Sequence, residues 1–152
     1  MPVDPIRVVL ADNHAAMRRS LRLLLDGEAD VHVVAEVGDL AAVMREVHQH
    51  QPRVLVLDLG MCNGSSIEVI GRLRREVPGA EIVVLTMEEG PAFERRAIDA
   101  GAIGLVLKDR APGELAAAIR GAAHGERHVS ADVSADVGAG RYSPRPSAVV
   151  GG

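Results

Sequence analysis

Five short apolar runs alternate with five amphipathic segments, and this alternation constrains the fold more than any other feature of the chain. The runs cover residues 6–11, 31–37, 54–57, 82–85 and 103–107. Each run is almost continuously aliphatic, which is typical of strands that are covered on both faces. Repeated strand–helix alternation predicts a parallel sheet with helices packed on both of its sides.

The segments between the runs carry apolar residues at helical spacing. The first, residues 14–26, places Met17, Leu21 and Leu24 on one face and stops at Gly27. We therefore predict an α/β fold with a single doubly wound, five-stranded parallel sheet, flavodoxin-like, (βα)5, in the strand order 2-1-3-4-5. The second run begins V-H-V, and this partial alternation favours an edge strand.

Composition limits the class of protein. The 152 residues are 47% apolar, which suits one domain with an aliphatic core. We assign this domain to residues 1–125 and predict a linker or flexible tail over residues 126–152, which are rich in Gly, Ser and Pro. The net charge of −4 and the lack of a basic run argue against a nucleic-acid surface within the chain.

Cysteine content and hydropathy indicate the compartment. The single cysteine, Cys62, excludes an internal disulfide and fits a reducing environment. No stretch approaches the roughly 20 apolar residues of a membrane-spanning helix, and the N-terminus lacks the pattern of a signal peptide. We therefore expect a cytoplasmic protein without a membrane partner.

Polar residues stand where four of the predicted strands end. Asp12 and Asn13 follow the first strand, Asp58 the third, Thr86 the fourth and Lys108 the fifth. Because the carboxyl ends of parallel strands meet at one rim of the sheet, these side chains are expected to share one crevice at the topological switch point. Each residue alone is weak evidence, whereas four converging strand ends with complementary polar groups are hard to obtain by chance.

These segments resemble the receiver domain of bacterial two-component response regulators of the NarL/FixJ type. The resemblance is carried by "RVVLADNH", "VLVLDLGM", "EIVVLTM" and "AGAIGLVLKDRAPGELAAAI", and it covers about residues 5–125. It implies a signalling switch and not a turnover enzyme. Asp58 would accept a phosphoryl group from a sensor histidine kinase, with Thr86 and Lys108 contacting that group.

The resemblance also implies a cofactor and partners. Mg²⁺ would be held by Asp12, Asn13, Asp58 and the carbonyl of Gly60, all oxygen donors of the kind this ion prefers. The output would be transcription, through a DNA-binding domain that this chain does not include. A homodimer through helix faces is compatible with the sequence, although no residue pattern specifies it.

Three features depart from the family pattern, one of which is the loop after Asp58, where Cys62 stands in the position of the family's proline. Asn13 stands at the second acidic position, and Leu105 stands where the family usually has an aromatic residue. The amide of Asn13 lacks one negative charge, which predicts weakly bound Mg²⁺; the other interpretation is that Asn13 is tolerated and the site is ordinary. The alternative function is an atypical receiver regulated by partner or ligand binding without phosphorylation.

Overall fold

The computed structural model describes residues 4–62, 66–87 and 91–130. Strands and helices alternate through these residues, as the apolar runs predict. The elements are β1 Ile6–Ala11, α1 Ala15–Asp26, β2 Val31–Val37, α2 Leu40–His50, β3 Val54–Asp58, α3 Ser66–Glu76, β4 Glu81–Thr86, α4 Pro91–Ala100, β5 Gly104–Leu107, α5 Ala111–Ala123 and β6 His128–Val129. Short 3₁₀ turns at Leu59–Cys62 and Lys108–Arg110 follow β3 and β5.

The strands form one parallel sheet in the order β2-β1-β3-β4-β5-β6. The predicted α/β class and the order 2-1-3-4-5 are confirmed. The predicted count of five strands is wrong, because the short strand β6 pairs with β5 along Gly104 and Leu105. A strand of two residues is too short to show any periodicity, so the sequence pattern could not reveal it.

The sheet divides the core into two layers. Successive residues of a strand point to opposite faces, so each central strand contributes to both layers. Leu55 and Leu57 of β3 pack on the side of α2, α3 and α4, whereas Val54 and Val56 pack on the side of α1 and α5. All four are fully buried, which explains why the central runs are continuously aliphatic.

Strand β2 forms one edge of the sheet, as its V-H-V start predicts. His32 is exposed between the buried residues Val31 and Val33. The register between β1 and β2 also shifts between Val8 and Val9, which is a local irregularity of the kind common at sheet edges.

Polar contacts of His128 and Ser130 hold strand β6 against the start of α5. The Ser130 hydroxyl, fully buried, donates to Glu114 Oε1 at 2.7 Å, and its oxygen accepts from the Leu107 amide at 3.0 Å. His128 Nε2 lies 3.1 Å from the same Glu114 oxygen. His128 and Ser130 belong to the predicted linker, so part of that segment packs onto the sheet. Residues 131–152 lie outside the described part of the chain.

Replacing Ser130 tests this attachment. In Ser130→Ala the buried Leu107 amide loses its side-chain acceptor, so we expect the free energy of unfolding to fall by about 1–3 kcal/mol. The control is Ser20→Ala on the exposed face of α1, where a change within about 0.5 kcal/mol is expected. Urea unfolding of the full chain measures both values, and equal effects would show that the contact does not stabilise the fold.

Glu114 gives the attachment a dependence on pH. Burial raises the pKa of this carboxyl, but hydrogen bonds from Ser130, His128 and Arg110 outweigh burial and leave the pKa below its ordinary value of 4.5. A lowered pKa in the folded state stabilises the protein above pH 4.5, and this stabilisation is lost as the pH falls through the folded-state pKa. We expect Glu114→Gln to be less stable than the parent at pH 7.

The difference between the two proteins should shrink as the pH falls below about 4.5, where the parent protonates Glu114. Urea unfolding at a series of pH values between neutrality and mild acid measures it. A difference that stays constant over this range would mean that the ionised carboxylate is not what stabilises the attachment.

Candidate functional site

The polar side chains predicted at the strand ends lie at the carboxyl rim of the sheet. Asp12 follows β1, Asp58 ends β3, Thr86 ends β4 and Lys108 follows β5. Their exposed fractions are 0%, 1%, 2% and 7%, so all four are buried although they are polar or charged. Burial of charge is costly unless opposite charges or ligands compensate for it, which makes this rim the candidate functional site.

The two carboxylates are held in the same way. Asp12 Oδ1 accepts the backbone N–H of His14 at 2.8 Å, and Asp58 Oδ1 accepts the backbone N–H of Gly60 at 2.9 Å. In both cases the donor lies two residues further along the chain, a local arrangement typical of aspartate at a strand end. Each carboxylate thereby keeps its second oxygen, Oδ2, for the site.

Lys108 supplies the compensating charge. Its Nζ atom lies 3.0 Å from Asp58 Oδ2 and 3.5 Å from Asp12 Oδ2. These are ion-pair distances, and neither Oδ2 atom has a further hydrogen-bond partner among the described residues. Two buried carboxylate oxygens therefore share a single cation, which is a costly arrangement for a purely structural cluster.

The pKa of Asp12 reflects this environment. Burial is the largest cause and raises the pKa above its ordinary value. The hydrogen bond from the His14 amide lowers it, the negative charge of Asp58 raises it, and the positive charge of Lys108 lowers it. Burial and the neighbouring carboxylate outweigh the two lowering effects, so the pKa of Asp12 is raised. An additional cation would stabilise the ionised carboxylates.

Gly60 and Thr86 complete the rim. A Cβ atom on Gly60 would stand 3.2 Å from Asp58 Oδ1, so a side chain there would press on the carboxylate. Thr86 lies opposite Leu107 in the register of β4 and β5, directly before Lys108. The predicted role of Gly60 concerned its carbonyl, whereas the contact seen here uses its N–H.

Asn13, the residue at the departing acidic position, is exposed. Leu105 is fully buried in the core layer that also contains Ala97 of α4. The loop after Asp58 is only partly described, because residues 63–65 lie outside the described ranges.

His14 lies beside these carboxylates, although its sequence context predicts only a rim residue at the start of the first helix. Its side chain is 68% exposed, and its Nδ1 atom lies 3.5 Å from Asp12 Oδ1, 4.0 Å from Asp58 Oδ2 and 3.5 Å from Lys108 Nζ. The signal available in the sequence was the spacing D-x-H, since the backbone contact between His14 and Asp12 also brings the His14 ring to the site.

The residues present fit a divalent cation. Ligand atoms of Asp12, His14 and Asp58 all lie within 4.8 Å of one another. The Oδ2 atoms of Asp12 and Asp58 are buried carboxylate oxygens, the kind of ligand that a hard cation binds.

The family model of the response regulator receiver domain matches residues 8–120. This chain belongs to the response regulator receiver domain family. Among curated relatives, the nitrate/nitrite response regulator protein NarP of Escherichia coli is 38% identical over 119 residues, covering 78% of this chain and 55% of the relative.

Solved structures agree. A two-component response regulator of the LuxR family from Aurantimonas has a TM-score of 0.83 and 32% identity, and the match covers 90% of this chain and 97% of that chain. The isolated receiver domain of RcsB from Salmonella enterica serovar Typhimurium, solved with the phosphomimetic BeF₃⁻, has a TM-score of 0.79 and 30% identity over 87% of this chain and 98% of that chain. The predicted NarL/FixJ-type receiver is confirmed.

The receiver spans about half the length of the curated relatives it matches. Within the part of the chain that the structure describes, no helix is long and apolar enough to cross a membrane.

Removing the cation of the site should destabilise the receiver. In Lys108→Met two buried carboxylates face each other without compensation, and we expect the free energy of unfolding at pH 7 to fall by about 1–3 kcal/mol. Adding Asp58→Asn removes one of the two charges and should restore part of the loss. Urea unfolding of both single variants and the double variant gives the coupling energy, and strictly additive effects would contradict the ion pair between Lys108 and Asp58.

Proposed function

We propose that this receiver is a phosphorylation-dependent switch that accepts a phosphoryl group on Asp58 from a phosphohistidine of a sensor histidine kinase. The observation that carries the proposal is the Asp58 Oδ2 atom. It is buried, lies 3.0 Å from Lys108 Nζ, and has no further hydrogen-bond partner among the described residues. A nucleophilic oxygen therefore stands next to a cation that can offset the charge of an incoming phosphoryl group.

The transfer forms one bond and breaks one bond. Asp58 Oδ2 bonds to phosphorus, the P–N bond to the donor imidazole breaks, and its electron pair stays on the imidazole nitrogen. An ionised carboxylate needs no general base for this step. Gly60 holds the other oxygen through its N–H, so the carboxylate keeps a fixed orientation toward the donor.

The main obstacle is repulsion between the carboxylate and the anionic phosphoryl group. Lys108 offsets this charge from one side of the site. Asp12, Asn13, Asp58 and the carbonyl of Gly60 would hold Mg²⁺, which, when bound, neutralises charge on the phosphoryl oxygens. The Thr86 hydroxyl donates to a phosphoryl oxygen, and its reorientation next to β5 begins the conformational change.

The output follows from the family. Similarity to the DNA-binding transcriptional activator DevR/DosR of Mycobacterium tuberculosis supports control of transcription through a DNA-binding domain in a longer protein. The dimers of the related RcsB on DNA support a homodimer of the receiver, which we expect to act in the cytoplasm. The RcsB receiver solved with a phosphomimetic supports a phosphorylated state for a related domain. The sensor kinase is the partner that this mechanism requires.

Asn13 favours a second candidate, a receiver regulated by partner or ligand binding without phosphorylation. The missing carboxylate weakens attraction for Mg²⁺, since a unit charge pair at about 4 Å interacts by about 4 kcal/mol at an effective dielectric of about 20. Solvent screening cancels much of this, but a residual of about 1.4 kcal/mol already means tenfold weaker binding.

Intact mass spectrometry after incubation with a small-molecule phosphodonor decides between the two candidates. We expect one added phosphoryl group, more abundant at high than at low Mg²⁺, and lost in Asp58→Ala. The matched control is Asp109→Ala, an exposed aspartate next to Lys108, which should keep the adduct. Asn13→Asp should give the same adduct at about tenfold lower Mg²⁺.

The absence of an adduct in the parent and in Asn13→Asp, at every Mg²⁺ concentration, would overturn the phosphorylation-dependent switch. An adduct that persists in Asp58→Ala would place the acceptor elsewhere.

A further inference from the structure

A cleft of about 550 Å³ opens at the amino end of the sheet, opposite the carboxyl rim that holds Asp12 and Asp58. Its walls come from the start of β1, the residues just before β3 and the end of α5, and they include Ile6, Arg7 and Arg53. Each of these arginines precedes an aspartate of the rim on the same strand, at a distance of about 16 Å along that strand. The cleft is therefore separate from the candidate phosphorylation site.

Two arginines stand side by side on neighbouring strands at this end of the sheet. The Arg53 backbone N–H donates to the Arg7 carbonyl at 2.9 Å, next to the register of β1 and β3. Among the described residues, no carboxylate lies within ion-pair distance of either guanidinium. Like charges at neighbouring positions of a sheet are destabilising, so this pair of guanidiniums favours an added anion.

Main-chain carbonyls hold both guanidiniums in place and leave some of their N–H groups unused. Arg7 Nη1 donates to the carbonyls of His50 at 2.7 Å and of Gln51 at 3.3 Å, at the end of α2. This leaves the edge formed by Nε and Nη2, the parallel pair of donors that matches two oxygens of one anion. Arg53 donates through Nε and Nη2 to the Ala123 carbonyl at the end of α5, which leaves Nη1.

Arg120, a third arginine that lines the cleft, already has its counter-ions. Its Nε atom donates to Asp30 at 2.7 Å, and its Nη2 atom donates to Glu28 and Asp30. Asp4 also lines the cleft but forms no ion pair with a described residue. The positive charge that lacks an acidic partner therefore lies on the two guanidiniums of the neighbouring strands.

The size and the lining of the cleft indicate an organic anion. A volume of about 550 Å³ is more than an inorganic ion fills and lies within the range of small-molecule sites. Buried Pro52 and half-buried Ile6 add apolar surface beside the guanidiniums. A phosphate group presents three acceptor oxygens and can contact two guanidiniums at once, whereas a carboxylate presents two oxygens in one plane.

We propose that this cleft binds a phosphomonoester that carries an apolar ring, with Arg7 and Arg53 holding the phosphate and Ile6 and Pro52 contacting the ring. Arg7 contributes its Nε and Nη2 edge, and Arg53 contributes Nη1. The site is one of binding only, and it does not depend on the proposed phosphoryl transfer to Asp58.

Gly79 allows the site to be blocked while both arginines stay in place. It lines the cleft, and a Cβ atom on it would meet nothing within 4 Å. Calorimetric titration of the full chain with phenyl phosphate measures binding, and the backbone amide resonances of β1 and β3 locate it. We expect Gly79→Asp to weaken binding by about tenfold or more, because its carboxylate competes for the guanidiniums. Gly79→Ala, the matched control, should change binding by less than about twofold.

Substitutions of Arg7 test its role as a paired donor. Arg7→Met should weaken phenyl phosphate binding by about tenfold or more. Arg7→Lys keeps the charge but not the pair of parallel donors, so it should restore only part of the affinity. Arg95→Met makes the same change in net charge at an exposed position of α4 outside the cleft, and it should bind like the parent.

Two further probes test the class of ligand. Benzoate and inorganic phosphate should each bind about tenfold more weakly than phenyl phosphate. Benzoate that binds as tightly would overturn the assignment to a phosphate group, and inorganic phosphate that binds as tightly would overturn the contact between the ring and the apolar wall.

The remaining outcomes test the place of the site. No saturable binding of phenyl phosphate up to about 10 mM, or equal binding in Gly79→Asp, Arg7→Met and the parent, would overturn the proposal. A loss of the same size in Arg95→Met would assign the effect to net charge and overturn it as well. Asp58→Ala should retain binding, and a loss there would place the probe at the carboxyl rim, whether or not Asp58 accepts a phosphoryl group.

Discussion

The arrangement that the rest of the site depends on is one ammonium group facing two buried carboxylates. Two aspartates at neighbouring strand ends repel each other, and burial strengthens that repulsion because little water screens it. Lys108 reduces the repulsion but leaves one oxygen of Asp12 and one of Asp58 without a further hydrogen bond. The site is therefore incomplete on its own, which is a useful property for a group that must capture a cation or an anionic phosphoryl group.

The buried sheet holds these two repelling carboxylates in place. Strands β1 and β3, neighbours in the sheet, are aliphatic on both faces and deliver Asp12 and Asp58 side by side. Backbone amides two residues further on fix one oxygen of each, so the carboxylate orientation is set by the main chain. The core thus determines the position of the charges, while the short rim segments determine their orientation.

The sequence was sufficient for the features that follow from burial and topology. Continuous aliphatic runs predicted a sheet covered on both faces, and the convergence of Asp12, Asp58 and Lys108 followed from strand order. The sequence predicts His14 as a rim residue but not the contact of its ring with the carboxylates, because an exposed histidine at a helix start has no periodic signal and the backbone contact with Asp12 brings its ring there. Strand β6 was missed because two residues are too few to alternate.

The short strand β6 has a consequence for the solubility of the chain. A parallel strand that is buried on both faces is hazardous at a sheet edge, because its unpaired amides and carbonyls can recruit a strand from another molecule. Strand β5 would be such an edge, since all four of its residues are buried. Pairing with β6 covers part of that edge, whereas β2, at the opposite edge, is protected by exposed polar residues and a register shift. A chain cut before His128 would therefore expose an aggregation-prone edge.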